Sequence, residues 1–477
     1  MQRKHRRTFL IIFALILATF AVMGLTGQAG TWAGLNNGTS ANPAGNGEGL
    51  LVSGRLVQDK VLQGSDGRVS LALTLTAPEK APGLNSPAAS VDLIVVLDRS
   101  GSMNGRKIND ARQAVLRLME TLSTQDRLSL VTYSNAVEQV ADLRPMTAAN
   151  RKRIAGAIGR ISANGGTNLG GGLRRGIEIA SASSPNGNMQ RIILISDGLA
   201  NQGITDPYAL GNMAAIGIEK GFAVSTVGVG QEFNEELMTI LADNGGGSYY
   251  YLENPSAFAA VFRKEYQLAR AAAAESISVS VPLPPGVELV DAGGYRVERI
   301  GARAVFNPGS LHHGQSRKFY LTFQVPTNVP RTFRLDDIRV QYRQGDRQLS
   351  AALADRFTVA CVNDAKDVMG SIRKDDWRDK VVQEDFSRLK EEVAADIREG
   401  KADQAMQRIR SYRQEKAAIN QVVGSRRVTE NLETEVDALR TVVQDTFSGP
   451  APAVAAKQKK NAKTLQYEGY RERRDKK

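Results

Sequence analysis

Two apolar runs of strand length, residues 93–97 and 192–195, each lead within two positions to an aspartate, Asp98 and Asp197. Unbroken runs of Leu, Ile and Val are what strands buried on both faces look like. Such strands belong to sheets covered by helices, which excludes most other architectures for this part of the chain. The flanking sequence agrees. Strand patterns at 93–97, 127–133, 137–143, 191–195, 223–227 and 248–251 alternate with helical patterns at 107–122, 148–161, 169–182, 207–220, 234–242 and 255–272. The prediction over 89–274 is an α/β unit: a doubly wound, mainly parallel, Rossmann-like sheet. The strand at 137–143 follows its neighbour after a very short turn, so it is expected as the antiparallel edge. Ligands of such sheets bind beyond the carboxyl ends of the strands, and Asp98 and Asp197 lie there.

The residues around those aspartates are hard oxygen donors. Asp98-Arg99-Ser100-Gly101-Ser102 places one carboxylate and two hydroxyls in one tight loop. Thr167 sits in the glycine-rich Asn164-Gly165-Gly166-Thr167-Asn168, and Asp197 in Ser196-Asp197-Gly198. Oxygen ligands of this kind suit Mg²⁺ or a similar cation rather than a soft metal. Taken singly, each loop is also ordinary turn and helix-cap chemistry, and Gly165, Gly166, Gly170, Gly171 and Gly172 also serve backbone angles or close packing.

Together and in this order, the three loops resemble the von Willebrand factor type A domain and its metal-ion-dependent adhesion site. The resemblance covers roughly residues 91–270. It extends to Asp126-Arg127-Leu128-Ser129-Leu130-Val131, Gly228-Val229-Gly230 and Asn234-Glu235-Glu236-Leu237-Met238, which are similar to bacterial members. It implies Ser100, Ser102 and Thr167 as direct ligands, and Asp98 and Asp197 as ligands directly or through water. The implied cofactor is Mg²⁺, with Mn²⁺ or Ca²⁺ as alternatives. The implied role is non-enzymatic: a protein-binding module whose partner supplies an acidic residue to the cation. Two alternatives remain open. A strand-end Asp with a second Asp near Mg²⁺ also fits a metal-dependent phosphoryl-transfer enzyme. Against it, no carboxylate follows Asp98 at the next alternate position, and no Gly-x-x-x-x-Gly-Lys-Ser/Thr loop occurs. The other is a structural envelope component in which the metal only stabilises the fold.

The net charge of +12 does not imply nucleic acid, because of where it lies. Residues 1–7 carry +4 and residues 457–477 carry +6, which leaves the middle nearly neutral. The basic start precedes a 17-residue apolar stretch, residues 9–25, with Gly27 and Ala29 after it. This is the arrangement of an export signal and also reaches the lower limit of a spanning helix. Residues 1–30 are therefore expected as a cleaved signal peptide or an inner-membrane anchor, with the body in the cell envelope, periplasmic or at the surface. Membrane contact follows if the segment is uncleaved. The one cysteine, Cys361, excludes an intramolecular disulfide and reads as a buried small hydrophobe. None of the histidines, His5, His312 and His313, falls in the three-loop unit.

Residues 31–48 read as a flexible linker. Alternation at Val69, Leu71, Leu73 and Leu75 gives strands within 49–88, and strand patterns resume over 275–361. A lone hairpin is marginal in water, so the two stretches are expected to share one β-sandwich with the α/β unit inserted between its strands. Residues 362–448 have helical spacing and are expected to dock on the sandwich or recruit a partner. Residues 449–477, charged and poor in bulky apolar side chains, are expected as a disordered basic tail.

Overall fold

The computed structural model describes residues 49–79, 90–183, 188–345 and 347–474. The expected signal or anchor at 1–30 and the linker at 31–48 lie outside them, as do residues 80–89.

The α/β unit holds a six-stranded sheet in the spatial order Val137–Pro145, Arg127–Tyr133, Val91–Asp98, Met189–Ser196, Phe222–Val229, Gly246–Leu252. All neighbours are parallel except the first pair, which is antiparallel. Every side chain of Val91–Asp98 and Met189–Ser196 is buried, as central strands covered on both faces require. One face packs on the helices Arg106–Thr121 and Phe258–Arg270, the other on Leu169–Ala182, Pro207–Lys220 and Glu235–Asn244.

Leu169–Ala182 approaches the sheet through its glycines. A Cβ on Gly172 would stand 2.6 Å from the Tyr133 ring and 3.2 Å from Val96. Tyr133 is fully buried, and its hydroxyl donates to the Ile195 carbonyl at 2.6 Å, so the ring cannot yield. Gly172→Val is therefore expected to cost about 2–3 kcal/mol through overpacking. Urea denaturation checks this; an unchanged midpoint would mean the helix is not seated as described.

The unit is inserted in a β-sandwich. Leu51–Leu56 and Arg68–Thr76, before it, lie in one antiparallel sheet with Ser316–Gln324 and Glu288–Ala292, after it. The facing sheet is Glu298–Ile300, Arg303–His312, Ala272–Pro282, Arg339–Gln344, Arg347–Ala352. Their inner faces share a core of Leu71, Leu73, Phe306, Phe319, Phe323 and Val340 among others. A third, small sheet adds one exception to the antiparallel pattern: Lys60–Leu62 runs parallel to Phe357–Val362, which brings Cys361, buried and free, beside Val61.

The helical region docks on the outer face of the sandwich. Trp377, Phe386, Leu389 and Val393 share a core with Val57, Ala72 and Tyr320. Its chain does not end at residue 448. Where a disordered basic tail over 449–477 is expected, the structure has a helix, Ala451–Arg473, and this corrects the expectation. At helical spacing Ala462, Leu465, Gly469 and Tyr470 form a buried stripe that a count of bulky residues misses. The charges are matched as well. Lys459, Lys460 and Lys463 pair with Glu232, Glu253 and Glu235 of the α/β unit. Arg473 pairs with Asp291 of the sandwich and with Glu384 and Glu391 of the helical region. Arg474 closes a two-bond contact on Asp243 of the α/β unit and also meets Glu391. This last helix is thus a strap that touches all three parts of the molecule. Among the described residues, no helix is long and apolar enough to cross a membrane.

Candidate functional site

Three loops meet at the carboxyl end of the sheet because their backbones are stitched together. The Arg99 N–H donates to the Tyr133 carbonyl at 2.8 Å, Gly101 N–H to Gly165 O at 3.0 Å, and Asn164 N–H to Arg99 O at 2.8 Å. Gly165 adopts φ +74°, a conformation that favours glycine, and turns the second loop back toward the first. Asn135 and Asn201 then act as braces. Asn135 Oδ1 accepts the Gly166 N–H at 2.5 Å, and Asn201 Oδ1 accepts the Thr167 N–H at 2.9 Å.

The structure brings all five oxygen-bearing side chains to this mouth. Asp98, the last residue of its strand, is fully buried; its carboxylate accepts the Ser100 N–H at 2.8 Å and the Ser196 hydroxyl at 2.9 Å. The Ser100 and Ser102 hydroxyls lie 3.1 Å apart, and Ser102 Oγ donates to Asp197 Oδ1 at 2.7 Å. Thr167 enters from the second loop. A Cβ placed on Gly198 would lie 3.4 Å from Ser102 Oγ and 3.7 Å from Thr167 Oγ1, so the two hydroxyls flank one point, open because residue 198 is glycine.

Burial pushes the Asp98 carboxyl up to about 6; the hydrogen bonds from Ser100 oppose this, and the negative charge of Asp197 adds to it. Asp98 and Asp197 thus stand together with little positive charge around them. One cation is already present in the chain: Lys107 Nζ stands 2.5 Å from Asp197 Oδ2. Sequence reasoning missed Lys107, Ser196, Asn135 and Asn201. None of the four carries a local signal that names its partner.

The donor set fits a hard divalent cation. Ser102 gives its proton to Asp197 and so keeps its lone pairs for a metal. Asp197 accepts from Ser102 on one oxygen and Lys107 on the other, which suits contact through water better than direct ligation. Among the described residues no group of three or more His, Cys, Asp or Glu is placed to hold a metal ion; at this mouth two carboxylates stand with three hydroxyls.

Residues 92–264 match the family model of the von Willebrand factor type A domain. An uncharacterized protein of Synechocystis is 27% identical over 263 residues, covering 53% of this chain and 61% of that protein. The uncharacterized protein YfbK of Escherichia coli is 30% identical over 200 residues, covering 41% and 34%. Mouse inter alpha-trypsin inhibitor, heavy chain 4, is 31% identical over 169 residues, covering 34% and 18%. The chain thus spans less than two thirds of the length of each of these relatives. Among solved structures, a von Willebrand factor type A protein from Catenulispora acidiphila superposes with a TM-score of 0.63 at 17% identity, covering 91% of this chain and 98% of that one. The ArnB paralog VWA2 from Sulfolobus acidocaldarius gives 0.52 at 18%, covering 87% and 98%. At these identities the two structures speak to the fold alone, and they share it across all three parts of the molecule.

Proposed function

We propose, from the premise that residues 92–264 are a von Willebrand factor type A domain, that this chain is a non-enzymatic protein-binding module of the cell envelope. It holds Mg²⁺, or alternatively Mn²⁺ or Ca²⁺, on Asp98, Ser100, Ser102, Thr167 and Asp197. The ion bridges to a carboxylate of a partner protein. The export pattern of residues 1–25 supports the envelope location.

The observation that carries this reading is the charge balance at the mouth. Asp98 and Asp197 supply two negative charges and Lys107 one positive, so the pocket carries −1 when both acids are ionised. A divalent ion brings it to +1. One further carboxylate brings it to neutrality, and the hydroxyls contribute no charge. Mg²⁺ prefers six oxygens and keeps exchangeable water, which gives an incoming Asp or Glu a position to take.

The test is titration of Mg²⁺ into the chelator-stripped full chain by calorimetry and thermal melting. The parent is expected to bind saturably, and at a hundredfold excess over Kd to gain about 2.7 kcal/mol. Asp98→Ala is expected to show neither. Equal responses from both would refute the site. Lys107→Ala separates the two halves of the charge argument. Removing its charge is expected to raise cation affinity about tenfold and to lower affinity for an acidic partner by a similar factor. Changes of the same sign would overturn the charge balance.

A further inference from the structure

Large apolar side chains stand exposed beside this mouth. Leu199 is 58% exposed, Ile204 39% and Tyr208 69%. All three fall within eleven positions after Asp197, in the segment that leaves the strand Met189–Ser196 at its carboxyl end, next to the Asp197 loop. Other exposed large hydrophobics among the described residues, such as Leu51 and Val422, are scattered over the sandwich and the helical region. A contiguous exposed apolar patch with a polar rim marks an interaction surface, whereas single exposed residues need no explanation.

The loop that carries the patch is braced. Besides taking the Thr167 N–H on its side chain, Asn201 donates its own N–H to the Thr167 carbonyl at 3.2 Å. Gly203 lies so close to Asn168 that a Cβ there would be 2.5 Å from its Oδ1, and the Ile204 carbonyl would be 2.7 Å from a Cβ on Gly170. Asp206 caps the helix Pro207–Lys220 by accepting the Ala209 N–H at 2.8 Å. The apolar side chains are therefore held outward by a fixed backbone. With a divalent ion bound, the charge count given above, Lys107 included, leaves the mouth at +1. A surface that is apolar on one side and positive at its centre complements an acidic residue with an apolar neighbour.

We infer that the partner presents its carboxylate within two positions of a bulky aliphatic or aromatic side chain, which seats on Leu199, Ile204 and Tyr208. This rests on the cation-bridged reading above and adds the sequence preference of the partner.

The experiment is selection of a phage-displayed random dodecapeptide library on the immobilised full chain in Mg²⁺. Enriched peptides are expected to carry Asp or Glu with Leu, Ile, Met, Phe, Tyr or Trp within two positions. Binding of one such synthetic peptide is expected to vanish in EDTA and to weaken roughly tenfold on the L199S/I204S/Y208S variant. Its analogue with the apolar residue changed to Gly should bind parent and variant alike. Acidic enrichment without an apolar neighbour, or a variant that binds the peptide as well as the parent, overturns the inference and leaves the cation reading standing. Apolar enrichment that ignores EDTA supports the patch and overturns the cation reading. No enrichment overturns both.

Discussion

Asp98→Asn is expected to make the cation-free protein more stable while abolishing its response to Mg²⁺. The two effects have opposite sign and a common origin. The carboxyl is buried and sits near Asp197, and its pKa is raised to about 6. At neutral pH the folded chain therefore holds a charge in a place that disfavours it, at a cost on the order of 1–3 kcal/mol. Asparagine removes the charge and keeps the shape. Its amide oxygen can still accept the Ser100 N–H, and Ser196 can reverse its hydroxyl to accept from the amide. Without the charge, little is left to hold a divalent ion. In chelator the variant should melt above the parent; in millimolar Mg²⁺ the parent should rise past it. Melts of both proteins in both conditions check this. A variant that melts lower in chelator would mean that the Asp98 carboxylate is well accommodated without a cation.

The double variant R473A/R474A is expected to lower stability by about 3–5 kcal/mol and to split one melting transition into two. Both side chains are almost fully buried, 7% and 4% exposed. Their partners come from three places: Asp291 in the sandwich, Glu384 and Glu391 in the helical region, and Asp243 in the α/β unit. The Arg474 guanidinium also lies over the Tyr470 ring, 4.3 Å from its centre. Removing one side of a buried ion pair is costly because the other side keeps its desolvation penalty. Here the loss also uncouples the parts the strap joins. Differential scanning calorimetry reads both effects. R473K/R474K, which keeps the charge but not the planar fork, should fall between parent and double alanine. A double alanine variant that melts like the parent would reduce the strap to an appendage.

The contrast between what was and was not legible follows from sequence distance. The central strands were legible because a strand buried on both faces needs no partner to be recognised, and its apolar run carries the information. That Asp98, Ser100, Ser102 and Asp197 lie at one end of the sheet was legible because their loops begin where such runs end; Thr167, whose loop follows the helix Ala148–Gly159, was legible only from the glycines before it. The partner of Asp197 was not. Lys107 stands 90 positions away, and nothing in its neighbourhood names the carboxylate it meets. The strap failed for the same reason on a larger scale: Lys463 and Glu235 are 228 positions apart, so the tail reads as surplus charge until the fold supplies the acids. The strand Arg303–His312 was hidden differently. Pro308-Gly309 reads as a turn, yet the strand continues through it, with Gly309 at φ +88° and a register shift against Ala272–Pro282.

The insertion also dictates an order of events. The Thr76 and Ser316 hydroxyls meet at 2.9 Å across 240 positions of chain. Closing an unstructured loop of that length costs about 5 kcal/mol in chain entropy. Once the intervening unit has collapsed, only its two short connections have to be gathered in. The outer sheet must then wait for the inner unit, and a lesion that slows the inner unit leaves Arg68–Thr76 with bare edges, open to pairing with a neighbouring molecule. Aggregation during refolding, rather than loss of binding, is the first symptom such a lesion would show.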